Sequence, residues 1–333
     1  MMHRRRLLCG CCGLAAGAPV RPAAAQQPGP GPFMRAELDA MRARYDAYLR
    51  DMLFNSLLAR LPPSLRAPLG EVRLEMPAEW PAGLGGNAPD FVLNAGSLAR
   101  TRQVILPIRT VLWLDEYAGL TAEMERRDCD GRTILPLLYA HMLTRVAPGA
   151  PRPPGPFAAF GLDDAIYADA RVKDTSNKLF ATALFFLLAH ELGHIAAGPL
   201  PPATGYDAQQ RERDADRYAL DAMAQVGLMP WGLVMLFTAL AVMEGGQTTH
   251  PMSGSRVEAA ARAVEARPRA FVDRTERDPA AWEPRVLQLM QEIRRAIPLA
   301  DDPAARAGIA RTAGGASFAQ LRDVARRSCP RSG

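Results

Sequence analysis

The sequence alternates between stretches whose apolar residues recur every three or four positions and connections rich in proline and glycine. In the second half this spacing begins near Ser176 and resumes near Asp207, continuing through Ala215 and Ala219. Such spacing places apolar side chains on one face of a helix, which a folded domain turns toward its core. The pattern predicts helices over residues 135–146, from about 176, from about 207, and over 231–244, 254–266, 280–296 and 317–327.

The first half has a different pattern. An amphipathic helix is predicted over residues 33–60, and short runs of branched and aromatic residues predict strands at 72–76, 91–95 and 103–111. A chain of 333 residues that is 48% hydrophobic can bury a substantial core. The sequence therefore predicts a mostly helical α+β fold with a small sheet.

The helix predicted from about residue 176 contains two histidines four positions apart, with a glutamate beside the first, in the run His190-Glu191-Leu192-Gly193-His194. At roughly 100° per residue, positions 190 and 194 project about 40° apart on one face. Two imidazoles on that face can share one cation. Glu191 falls between that face and its flank, so its carboxylate can reach a metal-bound water as a general base. The motif predicts a catalytic zinc site.

A catalytic zinc site takes three protein ligands, so a third must come from elsewhere. Glu212 and Asp216 lie four apart on the helix predicted from about 207. This spacing suits a ligating carboxylate followed by a carboxylate that orients a ligating imidazole. The alternative is a solvated charged face, which many helices carry.

Together, the two helices resemble the gluzincin zinc metallopeptidases, which pair a HExxH helix with a glutamate on a following helix. The Glu-x-x-x-Asp pattern is most similar to the HtpX-like and CAAX-protease family and its periplasmic relatives. The resemblance covers residues 179–262 and implies a zincin-like fold whose active-site helices bind one Zn²⁺ per chain. It implies His190, His194 and Glu212 as zinc ligands, Glu191 as the general base, and Asp216 as the partner of a ligating imidazole, His190.

A third fragment, Thr249-His250-Pro251, resembles a turn that precedes a helix near the active site of that family. Two functional roles are open to His250. It could stabilise the oxyanion of the tetrahedral intermediate, or cap the zinc as a removable fourth ligand that keeps the enzyme latent. The alternative is a loop histidine that makes a structural hydrogen bond.

The N-terminus has the pattern of a cleavable export signal over residues 1–25, with Arg4-Arg5-Arg6 before an apolar stretch and Ala23-Ala24-Ala25 at its end. The arginine cluster fits the twin-arginine route, and a lipoprotein is the weaker alternative. Removing these residues takes away four arginines and no acid, which lowers the net charge from +5 to +1. We therefore expect a periplasmic or secreted protein, and the charge does not support nucleic-acid binding.

Three of the five cysteines lie in the export signal, which leaves Cys129 and Cys329 in the mature chain. In an oxidising compartment these two can form one disulfide that closes a loop of about 200 residues. The apolar segments at 179–189 and 232–243 each span roughly half of what a bilayer requires, so both are expected to be core helices. The mature chain is therefore predicted to lack a transmembrane segment, which leaves peripheral membrane contact open.

These patterns divide the chain into an export signal (1–25), an N-terminal helix and small-sheet region (26–156), a zinc-binding catalytic core (157–270) and a C-terminal helical extension (271–333). They predict an exported zinc endopeptidase that hydrolyses polypeptides, with a role in envelope protein quality control. The alternative is a non-catalytic envelope binding or chaperone-like module with a structural zinc site. Retention of Glu191 favours catalysis, because a structural site needs ligands but no base.

Overall fold

The computed structural model describes residues 32–78, 80–81, 93–129, 155–200, 205–243, 250–273, 275–314 and 317–329. The export signal, the helix predicted at 135–146 and Thr249 lie outside the described residues. Within them, the structure is mostly helical with one small sheet, which confirms the predicted fold class.

The first half differs in detail from the prediction. Helix α1 (Pro32–Arg50) does not continue regularly to residue 60, because Asp51–Leu57 forms a π-helical segment and Leu58–Arg60 a 3₁₀ turn. A short helix, α2 (Pro63–Arg66), follows. The π-helical segment still buries Met52, Leu53 and Leu57, so the apolar face persists although the hydrogen bonding changes.

The sheet has three short strands, β1 (Arg73–Glu75), β2 (Gly96–Leu98) and β3 (Gln103–Ile105), in the order β1-β3-β2. β1 runs parallel to β3, and β2 runs antiparallel to it. The strand predicted at 91–95 was wrong in position, since residues 93–95 precede β2 instead of forming it. Within the described residues β2 is an edge strand, paired only with β3.

The strand predicted at 103–111 was too long, because helix α3 (Ile108–Arg126) begins three residues after β3 ends. Pro107 has extended dihedrals and its carbonyl accepts from the N–H groups of Thr110 and Val111, which starts the helix. The run was read as a strand because α3 is apolar on several sides, as a fully buried helix is.

The second half forms the helical body. Helices α4 (Pro156–Phe160), α5 (Ala170–Ala197), α6 (Gly205–Val226), α7 (Leu233–Met243) and α8 (Gly254–Glu265) are followed by α9 (Glu283–Arg294), α10 (Ile297–Asp301), α11 (Pro303–Gly314) and α12 (Phe318–Ser328). Helix α5 is central, packing on α3 along one side and on α6 along another, while α6 packs on α8. This packing brings the two predicted ligand helices side by side.

Helix α5 begins where the side chain of Asp169 accepts from the backbone N–H groups of Arg171 and Val172, and it ends at Gly198, whose φ is 76°. By length and composition it could cross a membrane, and 78% of its most apolar stretch is buried inside the protein. The shorter apolar helix α7 also buries most of its side chains. Both helices pack as core elements in the described structure.

A disulfide joins Cys129 to Cys329 across 200 residues of sequence. Cys129 follows the end of α3, and Cys329 follows α12. Because α3 packs on α5, the bond ties the last helix of the described chain to a helix that supports the central one.

Candidate metal centre

The side chains of His190, His194 and Glu212 meet where α5 and α6 face each other. The Nε2 atoms of His190 and His194 are 3.1 Å apart. Each Nε2 atom also lies 3.3 Å from a carboxylate oxygen of Glu212. The three side chains therefore form a triangle, in which His190 faces Oε2 of Glu212 and His194 faces Oε1. Together with His250, they form a group that could hold a metal ion, with all four ligand atoms within 4.8 Å of one another.

The close approach of the two helices depends on Gly193, which lies inside the histidine motif. A Cβ atom at that position would come within 2.9 Å of the Cα atom of Ala215 on α6. Real Cβ atoms do not approach backbone that closely, so any larger residue would push α6 away. The glycine thus allows Glu212, one turn before Ala215, to reach the histidines.

Asp216 orients the first histidine. Its Oδ1 atom accepts a hydrogen bond from Nδ1 of His190 over 2.9 Å, and both side chains are buried. This bond places the proton of a neutral imidazole on Nδ1 and leaves the lone pair of Nε2 facing the triangle. The pairing is the one that the sequence predicted for Asp216.

Arg256 on α8 carries a role that the sequence analysis did not assign. Its Nε and Nη2 atoms donate to Asp216 over 2.6 and 2.8 Å, and its Nη1 atom lies 2.9 Å from Oε2 of Glu212. Nη1 also donates to the carbonyl of Pro251 over 3.1 Å. The guanidinium is only 1% exposed. It therefore connects the candidate ligand Glu212, the histidine partner Asp216 and the loop residue Pro251. Its signal in the sequence was an arginine six positions after His250, which gives no partner.

His250 approaches the triangle from the loop before α8. Its Nδ1 atom lies 3.1 Å from Oε2 of Glu212 and 3.4 Å from Nε2 of His190. Its Nε2 atom donates to the carbonyl of Ala95, just before β2, over 3.2 Å. With that proton on Nε2, a neutral His250 directs a lone pair toward the lone pairs of the other candidate ligands. A cation, either a proton or a metal ion, would satisfy this convergence.

Glu191 is the unusual member of the group. Its side chain is 1% exposed, and neither carboxylate oxygen has a hydrogen-bond partner. Nε2 of His250 lies 3.5 Å from Oε1 of Glu191. A buried carboxylate without hydrogen bonds is costly, and such groups mark sites where a water, an ion or a substrate binds.

The charges of the site favour a cationic occupant. Burial alone would lower the pKa of His190, but hydrogen bonds to Asp216 and Glu212 outweigh burial and raise that pKa to about 10. Burial would raise the pKa of Glu212, but the charges of His250 and Arg256 hold it well below its usual value. Burial would also raise the pKa of Asp216, but the charge and hydrogen bonds of Arg256 lower it. The carboxylates of Glu212 and Asp216 are therefore ionised, and their negative charge favours a cation, either a proton or a metal ion, beside His190.

A cleft of about 630 Å³ opens beside the metal centre, between β2 and the facing parts of α5 and α6. Glu191, His194 and His250 line it, together with the edge strand residues Gly96, Ser97 and Leu98. Pockets of roughly 300–1,000 Å³ are typical of ligand sites. Glu191 and two of the four candidate ligands, His194 and His250, thus border a space that can admit a substrate.

The structure brings the predicted residues His190, Glu191, His194, Glu212, Asp216 and His250 into one cluster. Cys129 and Cys329 are paired with each other and do not belong to that cluster.

Residues 150–275 match the profile of the family described as Peptidase U49, which is related to metallopeptidases. The match covers less than half of the chain, but it includes α5, α6 and α8, which carry most of the cluster. No curated protein and no solved structure matches the chain. The family match supports a peptidase with a polypeptide substrate, and the cluster supplies a site that can hold a metal ion.

Proposed function

We propose that the protein is a zinc-dependent endopeptidase. The observation that carries this proposal is the buried carboxylate of Glu191, which has no hydrogen-bond partner and lines the cleft beside three converging ligand atoms. Structural metal sites need no such group. A general base needs a carboxylate in this position, within reach of a water and of the substrate.

Zinc fits the donor set. Ligands at about 2.0–2.1 Å from a tetrahedral zinc ion stand roughly 3.3–3.4 Å from one another. The Nε2 atoms of His190 and His194 are 3.1 Å apart, and each lies 3.3 Å from one oxygen of Glu212, Oε2 for His190 and Oε1 for His194, which is close to that spacing. Two imidazoles and one carboxylate are also a ligand set that catalytic zinc sites use. A zinc ion bound there would lower the pKa of a water toward about 7 and polarise the substrate carbonyl.

The residues of the chain would then divide the remaining work. Glu191 takes a proton from the attacking water and returns it to the leaving amine. Asp216 keeps the lone pair of His190 directed at the ligand position, and Arg256 holds both Asp216 and Glu212 in place. The edge strand β2 offers backbone groups to an extended substrate, which would add as a further strand beside the cleft.

His250 has two candidate roles in this scheme. As an oxyanion stabiliser it would donate from Nε2, which now donates to Ala95. As a removable fourth ligand it would coordinate through Nδ1 and keep the enzyme latent. A His250→Ala variant separates the two roles, because turnover falls if His250 stabilises the oxyanion and rises if it blocks the site. Unchanged zinc content with unchanged turnover contradicts both.

A second candidate function is a non-catalytic binding or chaperone-like module with a structural metal site. The observation that favours it is the fourth ligand, since His250 would close the coordination shell as structural zinc sites do. Zinc removal separates the candidates. Loss of the ion abolishes activity but spares the fold of a peptidase, and it unfolds a domain that depends on the metal as a structural element.

The deciding experiment compares the zinc-loaded parent with Glu191→Gln on quenched fluorescent casein. The amide has the same shape but cannot take the proton, so cleavage should fall by about 10²–10⁴-fold while zinc content stays unchanged. Glu276→Gln, a change of an exposed glutamate, is the matched control and should retain full activity. Equal cleavage by the parent and Glu191→Gln contradicts the proposal.

We further propose that the protein acts in the cell envelope, where its substrates are polypeptides under quality control. The Cys129–Cys329 disulfide supports an oxidising compartment. The test is fractionation of cells that produce the full chain. Replacing Arg4, Arg5 and Arg6 by lysine should retain the protein in the cytoplasm if the twin-arginine route exports it, and unchanged export excludes that route.

A further inference from the structure

The face of α5 that carries the candidate ligands continues toward the end of the helix without side chains beyond Cβ. Gly193 and Ala197 follow His190 by three and seven positions, so they project on the same side. Both line the cleft, and Ala197 is exposed within it. Beyond His194, the described residues of α5 and its C-cap that line the cleft are therefore small, so the cleft continues away from the metal centre along the last turn of the helix.

Apolar side chains form the walls of this part of the cleft. Ala215 and Tyr218 contribute from α6, and Leu98 and Leu200 also line the cleft. Tyr218 is held in place by its hydroxyl, which donates to the carbonyl of Leu65 over 2.9 Å. Leu200 is 50% exposed, so its side chain is accessible from the cleft that it lines. We call the set formed by Leu98, Gly193, Ala197, Leu200, Ala215 and Tyr218 the apolar groove.

A second observation points to a ligand at the start of the groove. Glu191 lines the same cleft, and its buried oxygens lack hydrogen-bond partners. A carbonyl positioned beside Glu191 and His194 would therefore have the apolar groove next to it. Among the described residues that line the cleft away from the metal centre, the charged side chains are Arg211 and Asp214, which have opposite signs. The groove thus offers no net charge to attract an acidic or a basic side chain.

We propose that the apolar groove binds a large apolar side chain of the substrate, adjacent to the bond that is cut. This inference rests on the proposed peptidase function and adds the class of residue that the site selects. The small residue at position 197 sets the width of the groove. Burial of an apolar side chain there would contribute to transition-state binding in proportion to the area removed from water.

The experiment uses the zinc-loaded protein and quenched peptides that carry Leu, Phe, Ala or Asp in turn at each position around the cut. We expect a preference of about tenfold or more for Leu or Phe over Ala at one position, because a few methylenes give discrimination of that order. In Ala197→Phe the ring of the new phenylalanine fills the groove. The substrate position that preferred Leu or Phe in the parent should therefore prefer Ala in this variant. Ala307→Phe, at an exposed alanine on α11, is the matched control and should keep the parental profile.

A flat profile in the parent, or an Ala197→Phe profile equal to that of the parent, overturns the inference. Failure of the proposed function is distinguished by binding of the same peptides to Glu191→Gln, measured by fluorescence anisotropy. If no peptide is cleaved but Leu peptides bind better than Ala peptides, and Ala197→Phe in the same background removes that difference, the groove assignment stands without catalysis. Binding without this preference, or no binding, overturns the groove assignment as well.

Discussion

Arg256 and Arg294 each connect a pair of carboxylates, and the two clusters differ mainly in burial. Arg256 connects Glu212 and Asp216 at the metal centre, where all three side chains are 1–4% exposed. Arg294 on α9 connects Glu258 and Glu265 on α8, where the three side chains are 22–29% exposed. Their shortest contacts are similar, 2.6 Å from Arg256 to Asp216 and 2.5 Å from Arg294 to Glu265.

Because the two clusters differ in burial, removal of the arginine should have different energetic costs although the contact geometry is similar. Water solvates the partners of Arg294 if the arginine is removed, so that cluster joins two helices with modest energy. Water cannot reach the partners of Arg256, and their charges would remain uncompensated. A protein tolerates such a buried cluster where the charges have another task. Here that task is to hold Glu212 and His190 in ligand geometry.

The largest effect is expected from Arg256→Met. The variant leaves two buried carboxylates without their cation, which should lower the free energy of unfolding by about 3–5 kcal/mol. It should also weaken zinc binding, because Asp216 and Glu212 lose the group that orients them. Urea denaturation and elemental analysis measure the two effects.

Arg256→Lys is the companion variant, because it keeps the charge but cannot reproduce the forked contacts. It should fold and bind zinc more weakly than the parent. If Arg256→Met kept the stability and the zinc content of the parent, the buried cluster would behave like an exposed one. That result would contradict the inference that burial separates the two clusters.

A smaller effect is expected from Arg294→Met. The glutamates on α8 keep their access to water, so the loss should be about 1 kcal/mol. Zinc content should not change. A loss above about 3 kcal/mol by urea denaturation would mean that burial does not separate the two clusters.

The smallest expected effect is a pH dependence of the difference in unfolding free energy between the parent and Arg294→Met. The hydrogen bonds from Arg294 and Arg262 lower the pKa of Glu258 from 4.5 to about 2. A lowered pKa contributes stability that is complete above the unfolded value and is lost as the pH falls through the folded value. The stability difference between parent and Arg294→Met should therefore be constant above about pH 6 and shrink from about pH 5 toward pH 2. A difference independent of pH over that range would exclude the pairing as its cause.

Much of the metal centre could be predicted from the sequence because its parts are local. The spacing of His190, Glu191 and His194 is a property of a single helix, and so is that of Glu212 and Asp216. Arg256 could not be placed in the same way. It meets Asp216 across 40 positions of sequence, and only the packing of α6 on α8 brings them together.

The fold class was predictable for a similar reason, whereas the boundaries in the first half were not. Helical spacing in α5 to α9 is long enough to be read reliably. The strands are only three residues each, and their positions depend on pairing that the sequence does not display. The sequence could not show where β3 stops, because Leu106 and Ile108 still donate to the carbonyls of Glu75 and Pro77 although the helix begins at Ile108.

The most direct test of this account is the zinc content per chain of the purified protein beside two glutamine variants. Glu212→Gln changes an arginine-paired glutamate inside the buried cluster, and Glu258→Gln changes one in the exposed cluster. The account predicts about one zinc per chain in the parent and in Glu258→Gln, and loss of most of it in Glu212→Gln. No zinc in the parent, or equal zinc in all three proteins, would contradict the assignment of the metal centre.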